Sequence, residues 1–95
     1  MREDRLKVLI AEDNMVNQMV LTRYIDDGEF EVIIADNGEK AVEMFKQHAP
    51  ALVMMDLSMP VRDGFEAAAR IRSYESQANL QRTPIVATTA HVLDE

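Results

Sequence analysis

The chain has 95 residues and a formal charge of −7 at neutral pH, which allows one small domain with a modest core. Apolar residues make up 47%, too many for a disordered segment, and cysteine is absent, which excludes disulfide scaffolds and cysteine-based zinc sites. The acidic balance argues against direct nucleic-acid binding, and no apolar run approaches the ~18 residues of a membrane span.

Short apolar runs alternate with longer amphipathic ones. The charged N-terminus, Met1 to Lys7, lacks the apolar stretch of a signal peptide, and a cytoplasmic, reducing location is expected. Lys7–Ala11 reads as a first strand. Helical spacing follows from Met15 to about Asp26, with Val16, Val20 and Tyr24 on one stripe, Leu21 and Ile25 beside it, and Gly28 as the stop. The β-branched run Glu31–Ala35 is a second strand. Asn37-Gly38 opens a helix with Ala41, Val42 and Phe45 inward, ending before Pro50. Ala51–Met55 is a third strand, and Ser58–Gly64 a loop containing Pro and Gly. Asp63 and Glu66 have the spacing of a capping box for a third helix, Phe65 to about Ser73. Tyr74–Thr83 is polar, a frayed helix or a loop, and Pro84–Thr88 is a fourth strand.

The order β-α-β-α-β-α-β predicts a parallel sheet with right-handed crossovers. Strands that read as continuous apolar runs belong to a sheet covered on both faces. Ligands of such sheets bind beyond the carboxyl ends of the strands, where strand order reverses. Glu12, Asp13 and Asn14 follow the first strand; Asp36 and Asn37 the second; Asp56, Leu57, Ser58, Met59 and Pro60 the third; Thr89 and Ala90 the fourth. In a 2-1-3-4 order, the first and third strands are neighbours, and Glu12, Asp13 and Asp56 meet.

Three carboxylates in one crevice repel each other unless their pKa values rise or a cation binds. An all-oxygen donor set favours a hard ion, and Mg²⁺ suits one or two carboxylates plus waters. A carboxylate also serves as a nucleophile and becomes an aspartyl-phosphate. Asp56, alone at its strand end, is best placed for that, with the Thr89 hydroxyl across the crevice. Each residue also has a purely structural reading: Asp13 or Asn14 as cap of the first helix, Asp56 as turn chemistry, Thr89 and Asp63 as caps. Met15, Met19, Met54, Met55 and Met59 read as core filling. His48 reads as a surface residue, and His91 is close enough in sequence to Thr89 to reach the site mouth.

Several segments together resemble the receiver domain of two-component response regulators. They are Val8-Leu9-Ile10-Ala11-Glu12-Asp13-Asn14, Val53-Met54-Met55-Asp56-Leu57-Ser58-Met59-Pro60-Val61-Arg62-Asp63-Gly64, and Pro84-Ile85-Val86-Ala87-Thr88-Thr89-Ala90, with Ala35–Ala41 as the second-strand exit. Glu12–Gln18 is especially similar to receivers of hybrid histidine kinases. The resemblance implies a flavodoxin-like three-layer α/β sandwich with a parallel sheet in order 2-1-3-4. It implies Asp56 as phosphoacceptor and Thr89 as the hydroxyl that responds to the phosphoryl group. It also implies Mg²⁺ held by Asp13, by Glu12 through water, by Asp56 and by the Ser58 carbonyl. Ser58 and His91 fall at the family's two variable positions that tune phosphate loss. The phosphoryl donor would be a phosphohistidine on a histidine kinase or histidine phosphotransfer domain.

Relative to that pattern, residues 1–95 read as a receiver incomplete at its C-terminus. The fifth strand, the fifth helix and the Lys after that strand are missing, and Lys7, Lys40 and Lys46 do not match the Lys. Losing the Lys removes a charge-assisted contact to the phosphoryl group. An uncovered fourth-strand edge is expected to associate with another copy as a homo-oligomer. The competing readings are a phosphorylation-deficient interaction module and a Mg²⁺-dependent phosphatase or nuclease. For the latter, Ser58 is a poor general acid, and no P-loop is present to suggest an NTPase.

Overall fold

The computed structural model describes residues 6–25, 28–56 and 64–88. Its elements are β1 (Leu6–Ala11), α1 (Met15–Ile25), β2 (Phe30–Ala35), α2 (Gly38–His48), β3 (Leu52–Asp56), α3 (Gly64–Gln77) and β4 (Ile85–Thr88). The strands form one sheet in the order β2-β1-β3-β4, with every pairing parallel. The register sets Leu9 between Ile33 and Val53, Ala11 between Ala35 and Met55, and Asp56 beside Thr88. The architecture is the expected flavodoxin-like one. Among the described strands β4 lies at the sheet edge, with Val86 exposed.

Side chains alternate across the sheet, so β1 buries residues on both faces. Leu9 and Ala11 join Ala35, Val53 and Met55 in one core, covered by Ala41, Val42 and Phe45 of α2 and Ala67 and Ile71 of α3. Val8 and Ile10 are equally buried on the opposite side, where α1 lies against β2 near Ile34. The three layers thus place two helices on one face and one on the other.

Local chemistry sets the helix ends. Asn37 is the N-cap of α2, and its side-chain oxygen accepts the Lys40 N–H at 2.8 Å. Glu39 in the first turn and Lys46 and His48 in the last complement the helix dipole. The helix closes at Ala49, left-handed at φ 48, whose N–H donates to the Phe45 carbonyl at 3.0 Å. Gly28, just before β2, has φ 92, and no atom lies within 4 Å of where a Cβ would stand, so its backbone angle rather than space selects glycine. Replacing Asn37 with Ala should leave one amide of α2 without its partner. A loss of ~1 kcal/mol in urea-unfolding stability is expected.

Three expectations need correction: Met15 and Met19 as core filling, the third helix ending near Ser73, and His48 as a surface residue. The stripe Val16, Val20 and Tyr24 faces outward, with Tyr24 84% exposed, and α1 has no fully buried residue. The half-buried positions are Asn17, Gln18, Leu21, Thr22 and Ile25. On that side Asn17 and Gln18 hydrogen-bond to Glu12. Met15 and Met19 are exposed rather than core filling, whereas Met55 is fully buried. Met59 lies outside the described residues.

Helix α3 runs to Gln77 rather than stopping near Ser73. Tyr74 packs edge-on against Phe45, ring centroids 6.1 Å apart, with the Lys46 ammonium 5.3 Å from its ring centroid. Glu75 is buried, at 2% exposure, and accepts hydrogen bonds from the Thr83 N–H at 2.7 Å and Arg72 Nη1 at 2.8 Å. The same Arg72 nitrogen donates to the Thr83 carbonyl at 2.9 Å. His48 is half-buried at the end of α2 rather than on the open surface.

Candidate metal and phosphoacceptor site

Glu12 and Asp13 leave the carboxyl end of β1, and Asp56 ends β3 beside it. A carboxylate oxygen from each lies within 4.8 Å of the others. Glu12 and Asp56 are buried, at 4% and 7% exposure, whereas Asp13 is exposed. Parallel pairing causes this convergence: every strand delivers its C-terminal residue to one edge, and β1 next to β3 puts their exits together.

Glu12 is held on several sides. Its N–H donates to the Ala35 carbonyl at 2.9 Å, continuing the β1–β2 ladder by one residue. Its carbonyl accepts from Gln18 Nε2 at 2.6 Å. Its Oε2 accepts from the Asn14 N–H at 3.1 Å and from Asn17 Nδ2 at 3.4 Å. Burial pushes the Glu12 carboxyl above its ordinary value. The Asn14 and Asn17 hydrogen bonds oppose that rise, and the charge and hydrogen bond of Asp56 add to it.

The capping question at α1 also resolves. Asn14 Oδ1 accepts the Asn17 N–H at 3.0 Å, so Asn14 rather than Asp13 serves as the cap side chain. Asp13 is thereby left to the crevice. Asp36 and Asn37, after β2, lie in a separate polar group: Asp36 pairs with Lys40 at 3.3 Å, with both side chains about half exposed. Ser58, Thr89, His91 and Asp63 lie outside the described residues. Asn17 and Gln18 were not singled out as site residues by the sequence pattern, although they stand in the Glu12–Gln18 segment that carries the family resemblance.

The donor set fits a hard divalent cation. It offers only carboxylate oxygens, two from buried side chains and one open to water, which leaves positions for solvent or a phosphoryl oxygen.

Residues 8–95 match the model of the response regulator receiver domain. The chain belongs to this family. The receiver is similar to part of the peroxide stress-activated histidine kinase mak1 of Schizosaccharomyces pombe, 39% identical over 89 residues, covering 90% of this chain and 5% of that protein. Among solved structures it resembles the receiver domain of the histidine kinase CKI1 from Arabidopsis thaliana, complexed with Mg²⁺ and BeF₃⁻. That match has a TM-score of 0.79 and 30% identity, covering 90% of this chain and 66% of that one. It also resembles a chain of the co-crystal structure of the Saccharomyces cerevisiae phosphotransfer protein Ypd1 with the receiver domain of Ssk1. There the TM-score is 0.76 and the identity 33%, covering 90% of this chain and 62% of that one. The receiver thus spans a small fraction of the curated relative and under two thirds of the second solved chain. Among the described residues no helix is long and apolar enough to cross a membrane.

Proposed function

We propose that this receiver is the phosphoacceptor of a two-component phosphorelay. It takes a phosphoryl group from a phosphohistidine onto Asp56 and thereby switches a partner-binding surface. The observation that carries the reading is the meeting of Glu12, Asp13 and Asp56 within 4.8 Å at the ends of two adjacent parallel strands. An Asp56 carboxylate oxygen forms the new bond to phosphorus as the bond from phosphorus to the imidazole nitrogen breaks, and the electron pair stays with the imidazole. The cation, Mg²⁺, supplies charge neutralisation at the phosphoryl oxygens when bound.

Asp13 would hold that cation directly, Glu12 through water, with Asp56 and the Ser58 carbonyl completing the protein's share. The Thr89 hydroxyl, directly after β4, would hydrogen-bond the phosphoryl group and couple it to the surface around β4. Donors of the right chemistry are a histidine kinase or a histidine phosphotransfer domain. Support comes from the similarity to a histidine kinase and to a receiver crystallised with a phosphotransfer protein. The reading places the chain in the cytoplasm, as a signalling domain rather than a turnover enzyme.

Incubation with acetyl phosphate and Mg²⁺, followed by intact mass, should show one phosphoryl adduct per chain. The adduct should disappear when Mg²⁺ is chelated. No adduct on a chain that NMR shows to be folded would defeat the reading and favour an interaction module that does not accept phosphate.

A further inference from the structure

The inner face of α1 mixes apolar and polar residues. Its exposed side carries Met15, Val16, Met19 and Val20, while its half-buried side joins the polar Asn17 and Gln18 to Leu21 and Ile25. Apolar residues on both sides mean that hydrophobic burial alone does not decide which side turns inward. The polar contacts of the inner side converge on one residue: Gln18 Nε2 on the Glu12 carbonyl at 2.6 Å, and Asn17 Nδ2 on Glu12 Oε2 at 3.4 Å. Glu12 in turn stands against the like charge of Asp56.

We propose that Asn17 and Gln18 are positioning residues of the metal site, holding Glu12 by its carbonyl and one carboxylate oxygen so that the carboxyl stays turned toward Asp13 and Asp56. The inference rests on the reading of these three carboxylates as the Mg²⁺ site. Donors that orient a ligand group from behind act on metal affinity without touching the metal. Gln18 fixes the peptide that carries Glu12, whose N–H is already committed to Ala35. Asn17 fixes the carboxyl itself, alongside the Asn14 amide.

The test uses the full chain and Mg²⁺ alone. Gln18→Met keeps side-chain length and helix propensity but removes the donor; Asn17→Ala removes the second contact. Gln47→Met, at an exposed position of α2, is the control. Amide NMR titration with MgCl₂ reports affinity and folding together, and thermal melts in metal-free buffer report stability. Gln18→Met and Asn17→Ala should each bind Mg²⁺ about tenfold more weakly. Gln18→Met should melt no lower than the parent, and Gln47→Met should bind Mg²⁺ like the parent. Parental Mg²⁺ affinity in both site variants, or weakening that only follows a fall in melting temperature, overturns the inference while leaving the metal site standing. If the parent chain itself shows no Mg²⁺-dependent shifts near Glu12, Asp13 and Asp56, the metal-site reading fails and the inference falls with it.

Discussion

Asp56→Asn should abolish the phosphoryl adduct while making the metal-free chain more stable. The amide is nearly isosteric with the carboxylate but is not a nucleophile, so no phosphoryl bond forms at this position. The side chain is 7% exposed, at the last position of β3 and in register with Thr88, and a volume-conserving change there disturbs little packing. Its charge is another matter. Three carboxylates within 4.8 Å repel, and the substituted amide would remove one charge while offering an N–H to Glu12. A gain on the order of 1 kcal/mol in metal-free urea unfolding is expected, well below the roughly 4 kcal/mol limit for a close pair at an effective dielectric constant of ~20. Asp13→Asn separates metal binding from acceptance. Asp13 is exposed, so the fold should be unaffected, whereas Mg²⁺ affinity and the rate of adduct formation should both fall by more than about tenfold. Mass spectrometry after acetyl phosphate treatment checks both variants. A full adduct on Asp56→Asn would place the acceptor elsewhere, and undiminished Mg²⁺ dependence in Asp13→Asn would remove Asp13 from the site.

The strands were legible because each is a short, nearly continuous apolar run bounded by turn residues. β1 and β2 begin one residue before the runs Lys7–Ala11 and Glu31–Ala35 predicted, and β3 is shifted by one to Leu52–Asp56. The carboxylate cluster was legible because parallel strands send their exits to one edge, so sequence position after a strand becomes spatial proximity. What stayed hidden depends on partners distant in sequence or on polar contacts. The grip of Asn17 and Gln18 on Glu12 is something that a hydrophobic stripe cannot reveal. The last turn of α3 looks polar, yet Tyr74 finds Phe45 and Glu75 finds Thr83. The choice between Asp13 and Asn14 as helix cap is invisible in composition and is decided by one hydrogen bond from the Asn17 amide.

The burial of Glu75 leads to the largest stability effect expected outside the apolar core. Its carboxylate and Arg72 grip both backbone groups of Thr83, and the next residue, Pro84, accepts the Val53 N–H at 2.9 Å. The grip thus fixes the chain at the point where β4 joins β3. Glu75→Ala leaves the Thr83 amide without its acceptor and Arg72 without its counter-charge, at about 3 kcal/mol, the lower end for breaking a buried pair because Arg72 is 30% exposed. Glu75→Gln, which still offers one acceptor oxygen, should lose less. Burial pushes the Glu75 carboxyl up, but the Thr83 amide and Arg72 together hold it below its ordinary value of 4.5. The folded chain therefore binds this proton less readily than the unfolded chain, and the contribution is fully present above that value and lost as pH falls through the lowered one. Subtracting the Glu75→Gln stability from the parent's at each pH also removes the opposite trend of Glu12. The difference should be constant from neutrality to about pH 5 and shrink below it; a constant difference down to acid unfolding would show that the carboxylate charge contributes nothing. Hydrogen exchange then separates a local latch from general stability. If the latch acts on β4, the Val53 amide, bonded to Pro84, should exchange faster in Glu75→Gln, while the Glu12 amide, bonded to Ala35 across the sheet, keeps its protection.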